Sequence, residues 1–134
     1  MNNSSENRPR PSLTVDTEWW WRALESGELL VQRCAGCDLL RHPPEPTCGA
    51  CGSDEWSGVP VAGGAIIHSW VVVHEPALPG FAPPYAVALA DLDEGVRMVV
   101  ALEGAEPGTI EIGMRLALAV HERGGLALPV ARPA

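Results

Sequence analysis

The 134 residues predict a mainly β protein, with a short N-terminal helix, a cysteine-bearing ribbon and then a small barrel. Three observations carry that expectation. Four cysteines fall in two close pairs between positions 34 and 51. Beyond them come short runs rich in Val, Ala and Leu, with no helical pattern in between. The 14 Gly and 13 Pro punctuate these runs at a density that favours tight turns but stays below the roughly 25–30% of low-complexity chains.

Residues 1–13 hold mostly Asn, Ser, Pro and Arg, and read as a disordered tail. From Asp16 to Ser26 the run DTEWWWRALES reads as a helix. Asp16 or Thr17 caps its start, Glu18 sits in the first turn, and Gly27 follows at the end. Trp20 and Leu24 share one face, and Trp19 and Ala23 share the next. GELLVQRC then forms a lead-in strand, closing a unit over 14–33. Residues 34–63 make the ribbon and a linker, with the turn His42-Pro43-Pro44 between the cysteine pairs and a polar, Gly-rich connection from Ser53 to Gly64. Five strands follow in 64–130: Ala65–His74, Tyr85–Leu92, Val96–Leu102, Arg115–Glu122 and Leu126–Val130. Turn residues separate them, among them Pro79-Gly80, Asp93-Glu94-Gly95, Pro107-Gly108 and Gly124-Gly125. Five strands without helices are most economically closed as an OB-fold, with an open sheet or a half-sandwich as the other arrangements. Residues 131–134 read as a tail.

The cysteines carry the strongest chemical signal. CAGC at 34–37 and CGAC at 48–51 give C-x2-C-x10-C-x2-C. Each pair places two sulfurs on one ion with backbone N–H groups turned toward them, and two pairs complete a tetrahedral S4 site suited to one structural Zn(2+). Cys34, Cys37, Cys48 and Cys51 are therefore the expected ligands of a rubredoxin-like zinc ribbon. Gly52 and Asp38, the residues after each pair, both tolerate the left-handed backbone that such a turn needs. Iron takes the same four ligands. A redox dithiol is a weaker reading, since that chemistry uses one pair in a βαβ setting. Four thiolates leave no open position for catalysis at the metal. Between the pairs few residues besides Leu39 and Leu40 are apolar, so the metal is what orders this segment.

Charge and the remaining motifs narrow the function. The formal net charge is −8, and all nine cations are scattered Arg. A polyanion-binding face needs clustered cations, so nucleic acid is disfavoured. There is no apolar run near the ~20 residues of a membrane span and no secretory signal, which places the chain in the reducing cytoplasm. No G-x-S-x-G, H-E-x-x-H, P-loop or G-x-G-x-x-G occurs. His68 and His74, six apart in one predicted strand, would share a face, but two solvated His are the simpler account. Asp91-Leu92-Asp93-Glu94 reads as a solvated hairpin tip. The chain thus presents no catalytic residue of its own. Trp19, Trp20 and Trp21 lie about 100° apart on a helix, so its own domain buries one or two and the third faces either a partner or the chain's own ribbon and barrel. Phe81, at the centre of the Pro-rich loop EPALPGFAPP, is a second candidate contact.

The order of these residues resembles a known family. WWWRALESGELLVQRCAGCDLLRHPPEPTCGACGS, followed by GGAIIHSWVVVHEPALPGFAPPYAVALADLDEGVRM, is similar to the zinc-ribbon plus OB-fold proteins associated with acyl-CoA enzymes, long catalogued as domain of unknown function thirty-five. The likeness covers about residues 15–122, through the Trp helix, Gly27-Glu28-Leu29 before Cys34, the Pro43-Pro44 turn, and Pro84-Tyr85 leading to Leu92-Asp93-Glu94-Gly95. It implies a non-catalytic subunit of a hetero-oligomer. Such a subunit docks on a thiolase-fold, lipid-transfer-protein-like enzyme that acts on acyl-CoA by retro-aldol cleavage of a steroid side chain, by thiolysis or by condensation. Trp19, Trp20, Trp21, Phe81 and Tyr85 are then the expected interface residues. A ribbon and OB-fold module that binds single-stranded nucleic acid is the alternative, although only Trp70, Phe81 and Tyr85 offer stacking surfaces in the barrel.

Overall fold

A computed structural model describes residues 7–134. Helix α1 (Glu18–Glu25) is followed by β1 (Leu30–Cys34), β2 (Leu40–Arg41) and β3 (Trp56–Pro60), which form an antiparallel sheet in the order β2-β1-β3. Then come β4 (Gly64–Val73), β5 (Tyr85–Leu92), β6 (Arg97–Leu102), β7 (Arg115–Arg123) and β8 (Leu126–Pro133). These close into a barrel in the order β4-β5-β6-β8-β7, with β4 returning to β7 through Gly64 opposite Ala117. All neighbours are antiparallel except β6 and β8. This is the five-stranded OB-fold, mainly β, with the zinc ribbon and helix before it.

Alternation builds the barrel. On β5, Ala86, Ala88, Ala90 and Leu92 face inward while Tyr85, Val87, Leu89 and Asp91 lie on the outer side. Met98, Val100 and Leu102 of β6 and Leu116 and Leu118 of β7 fill the interior against those small alanines. Large residues facing small ones let a narrow barrel pack without voids. The core continues without a break into Trp20, Leu24, Leu29 and Val31, so helix and ribbon share it with the barrel.

Four expectations need correction. Residues 131–133 are not a tail: β8 continues to Pro133, opposite Leu116, because the barrel closes only if β8 reaches both β6 and β7. Of the expected N-terminal tail, residues 1–6 lie outside the described residues, but 7–13 run against the barrel, with the Arg8 N–H bonded to the Gly124 carbonyl at 2.8 Å. The polar connection after Ser53 contains β3, which pairs with β1 at five positions. Its Ser57, Gly58 and Pro60 dilute the strand signal of Trp56 and Val59, and pairing with β1 and contact with the helix decide the outcome. Finally, His68 and His74 do not share a strand face. A bulge between Ile67 and Ser69 shifts the register, and His74 lies past the end of β4.

Candidate metal centre and the groove beside it

The four cysteine sulfurs converge. Cys34, Cys37, Cys48 and Cys51 place their Sγ atoms within 4.8 Å of one another, with Cys34–Cys51 at 3.5 Å and Cys37–Cys48 at 3.7 Å. A tetrahedral site with Zn–S near 2.3 Å has S···S edges of about 3.8 Å, so these residues fit one zinc ion. Each pair folds the same way. The Asp38 N–H bonds to the Cys34 carbonyl at 2.9 Å and the Gly52 N–H to that of Cys48 at 2.8 Å. Both turning residues are left-handed, Asp38 at φ 64° and Gly52 at φ 77°. The first cysteine of each pair is buried and the second exposed.

The backbone also prepares the first thiolate of each pair. Gly36 N–H points at Cys34 Sγ (3.3 Å) and Ala50 N–H at Cys48 Sγ (3.4 Å). Burial pushes the Cys34 thiol up, but N–H donors from Cys37 and Gly36, with the neighbouring sulfurs, outweigh it and bring it down to about 6. The Cys51 and Ala50 N–H groups lower Cys48 in the same way. Zinc held there gains structural, closed coordination, since all four donors are thiolates.

The loop between the pairs is pinned by a residue that no motif marks. Gln32, on β1, is 1% exposed. Its Nε2 donates to the Glu45 carbonyl at 3.0 Å, and its Oε1 accepts the Glu45 N–H at 2.8 Å. Arg41 Nη2 donates to the same carbonyl at 3.2 Å. This two-way clamp holds residues 42–47 while the cysteines on either side meet.

The three tryptophans divide their work. Trp20 is buried, and its Nε1 donates to the Leu30 carbonyl at 2.8 Å. Its ring meets Trp21 edge-on with centroids 4.9 Å apart, and lies 5.1 Å from His42. Burial drives His42 down to about 4, so the imidazole beside Trp20 is neutral. Trp19 crosses to the ribbon sheet, 4.7 Å from Trp56, over Gly58, where a Cβ would come 3.0 Å from the Trp19 ring. Trp21 is half-buried and faces a groove of about 660 Å³. The groove runs between α1, the His42-Pro43-Pro44 turn and the outer faces of β5, β6 and β8. Phe81 and Tyr85, 5.2 Å apart, stand at one end, and Val87, Leu89, Val99 and Leu128 line it. Val99, on this face, is 63% exposed. Strands two and three of an OB barrel and its first and last loops form the face on which this fold ordinarily takes ligands. Here that face is apolar.

Charge borders this face, with Arg8, Arg97 and Glu103 on the groove wall, and continues around the barrel. Glu103 receives Arg123 at 2.8 Å and Arg132 at 3.3 Å, and the hydrogen bond from Arg123 holds its carboxyl below the usual range, against the opposing effect of burial. Asp91 pairs with Arg97 at 2.6 Å and lies 3.4 Å from His68, while Asp93 pairs with Arg115 at 3.1 Å. The acidic run is therefore neutralised in part by arginines from β6 and β7. No helix among the described residues is long and apolar enough to cross a membrane.

A closed tetrathiolate ribbon set on an OB barrel defines a zinc-ribbon/OB-fold protein. Two family models match in tandem: the ChsH2 rubredoxin-like zinc ribbon domain over residues 21–57 and the ChsH2 C-terminal OB-fold domain over 58–121. The chain belongs to this ChsH2 (DUF35) family. It is 47% identical over 128 residues to a probable enoyl-CoA hydratase alpha subunit of Thermomonospora curvata, across 95% of this chain and 40% of the relative. It is 41% identical over 105 residues to the 3-oxo-4,17-pregnadiene-20-carboxyl-CoA hydratase alpha subunit of Mycobacterium tuberculosis, across 78% of this chain and 33% of the relative. The chain thus spans well under half the length of these two relatives. A solved structure described as an Ltp2-ChsH2(DUF35) aldolase superposes with a TM-score of 0.88 and 46% identity, covering 92% of this chain and 98% of that one.

Proposed function

We propose that this chain is a non-catalytic, zinc-stabilised accessory subunit. It docks in the cytoplasm on a thiolase-fold, lipid-transfer-protein-like enzyme that makes or breaks C–C bonds in acyl-CoA substrates. Retro-aldol removal of a steroid side-chain fragment is the reaction we assign to that enzyme. The observation that carries this reading is the match, along nearly its whole length, to the ChsH2 chain of an aldolase assembly. Two features of the molecule support it. The metal ligands close the coordination sphere, so the metal serves the fold. The OB face is lined by Trp21, Phe81, Tyr85 and Val99, a surface that gains by burial against a protein. Trp19 and Trp20 serve the chain's own packing, so Trp21 is the one of the three that we assign to the partner.

The test is a tagged pull-down from the native cell, with metal counted on the same sample. The expected result is a stoichiometric thiolase-fold partner, about one zinc per chain, and aldol cleavage by the purified complex. Recovery of nucleic-acid proteins instead, or of no partner, would overturn the assignment.

A further inference from the structure

The N-terminal segment joins two loops that the chain places far apart. Arg8 donates its backbone N–H to the Gly124 carbonyl (2.8 Å), in the β7–β8 turn, and its Nε to the Gly80 carbonyl (3.0 Å), in the β4–β5 loop. Its guanidinium carbon stands 4.2 Å from the centroid of Phe81, and the ring in turn stacks toward Tyr85 at 5.2 Å. Arg10 adds a bond to the Gly125 carbonyl at 3.2 Å. The approach is close enough that only glycine fits at position 80: a Cβ there would come 2.5 Å from Arg8 Cγ and 2.8 Å from its backbone nitrogen. Gly80 is also left-handed, at φ 80°. These two loops flank the OB ligand face, and Arg8 and Pro9 themselves form part of the groove wall.

We propose that residues 7–10 are a strap and Arg8 a positioning residue: by tying the Phe81 loop to the β7–β8 turn, it sets the shape of the groove's mouth. The loop needs such a restraint. Between Glu75 and Pro84 its backbone has one internal hydrogen bond among the described residues, Phe81 N–H to the Leu78 carbonyl at 3.0 Å, and Leu78 is exposed. Proline limits each residue's freedom but leaves the loop as a whole unanchored. The guanidinium supplies the anchor through two kinds of contact at once, a planar N–H to a carbonyl and a cation over an aromatic face. The consequence for partner binding rests on the docking reading above, whereas the strap itself does not.

Residue-resolved amide exchange on the full, zinc-loaded chain tests it. R8A is expected to speed exchange of the Phe81 amide about tenfold, roughly the loss of one hydrogen bond together with the cation–π contact, while core amides of β5 and β6 keep their protection. R8K, which retains a cation over the ring, recovers part of it. G80A approaches from the other side and should release the Arg8 amide from Gly124, a residue far from the substitution in sequence. An unchanged Phe81 amide in R8A, a still-protected Arg8 amide in G80A, or a loss shared equally by the barrel strands would each overturn the proposal. In a complex with the thiolase-fold subunit, R8A should weaken association about tenfold and R8K less. If the wild-type complex does not form, the docking reading fails, and the exchange data still decide the strap.

Discussion

Replacing Gln32 with leucine probes how the ribbon is held. Leucine keeps most of the volume but removes both amide contacts to Glu45. Two hydrogen bonds at a net ~0.5–1.5 kcal/mol each set an upper range of about 1–3 kcal/mol. The Glu45 carbonyl keeps Arg41 Nη2 at 3.2 Å, so the group left without a protein partner is the Glu45 N–H. That places the cost at about 1–2 kcal/mol, or a fall in Tm of roughly 3–10 °C for a domain of this size. Because metal binding and folding of the ribbon are one process, the same loss should appear as zinc affinity lowered about 5–30-fold. A competition titration against a chromophoric chelator reads the affinity, and calorimetry reads Tm. Q32E is the sharper companion: it sets a carboxylate oxygen where Nε2 now donates to a carbonyl 3.0 Å away, and should cost more than Q32L. Zinc affinity and Tm unchanged in Q32L would refute the clamp.

Two further outcomes follow from the same geometry. Removing the metal with a chelator, or by C48S, should unfold residues 34–52 and shift tryptophan emission to the red, because Trp19 and Trp56 meet across the helix and the ribbon sheet. The far-UV signal of the barrel should persist, and unaltered emission after measured metal loss would count against this. Acid stability should depend in part on Glu103. Its carboxyl sits below its usual range, so it stabilises the folded state fully above that range, and the contribution fades as pH falls through the lowered value. Subtracting the pH–stability curve of E103Q from that of the wild type should leave a step of about 0.5–1 kcal/mol below roughly pH 5, and a flat difference would remove Glu103 from the account.

What the amino-acid order determined by itself was local. The spacing C-x2-C-x10-C-x2-C brings two short turns onto one ion, and residues able to adopt positive φ stand after each pair, so the metal ligands were legible without coordinates. Leu116, Leu118 and Val120 alternate with Ala117 and Ala119 and so mark the faces of β7, because successive side chains on a strand point opposite ways, whereas on β5 the buried face is the one with the small Ala86, Ala88 and Ala90, which only barrel closure decides. Tertiary structure decided whatever depends on residues distant in sequence. Gln32 reaches Glu45 thirteen positions on, β3 exists because β1 and Trp19 receive it, and a single bulge separates the faces of His68 and His74. Arg8 and Gly80 stand 72 positions apart, and nothing around either one in the sequence refers to the other. The division has a physical cause. Turns and metal knuckles are set by backbone energies within a few residues, whereas a clamp, a strand edge or a groove arises only once the barrel has closed and the entropy of bringing distant segments together has been overcome.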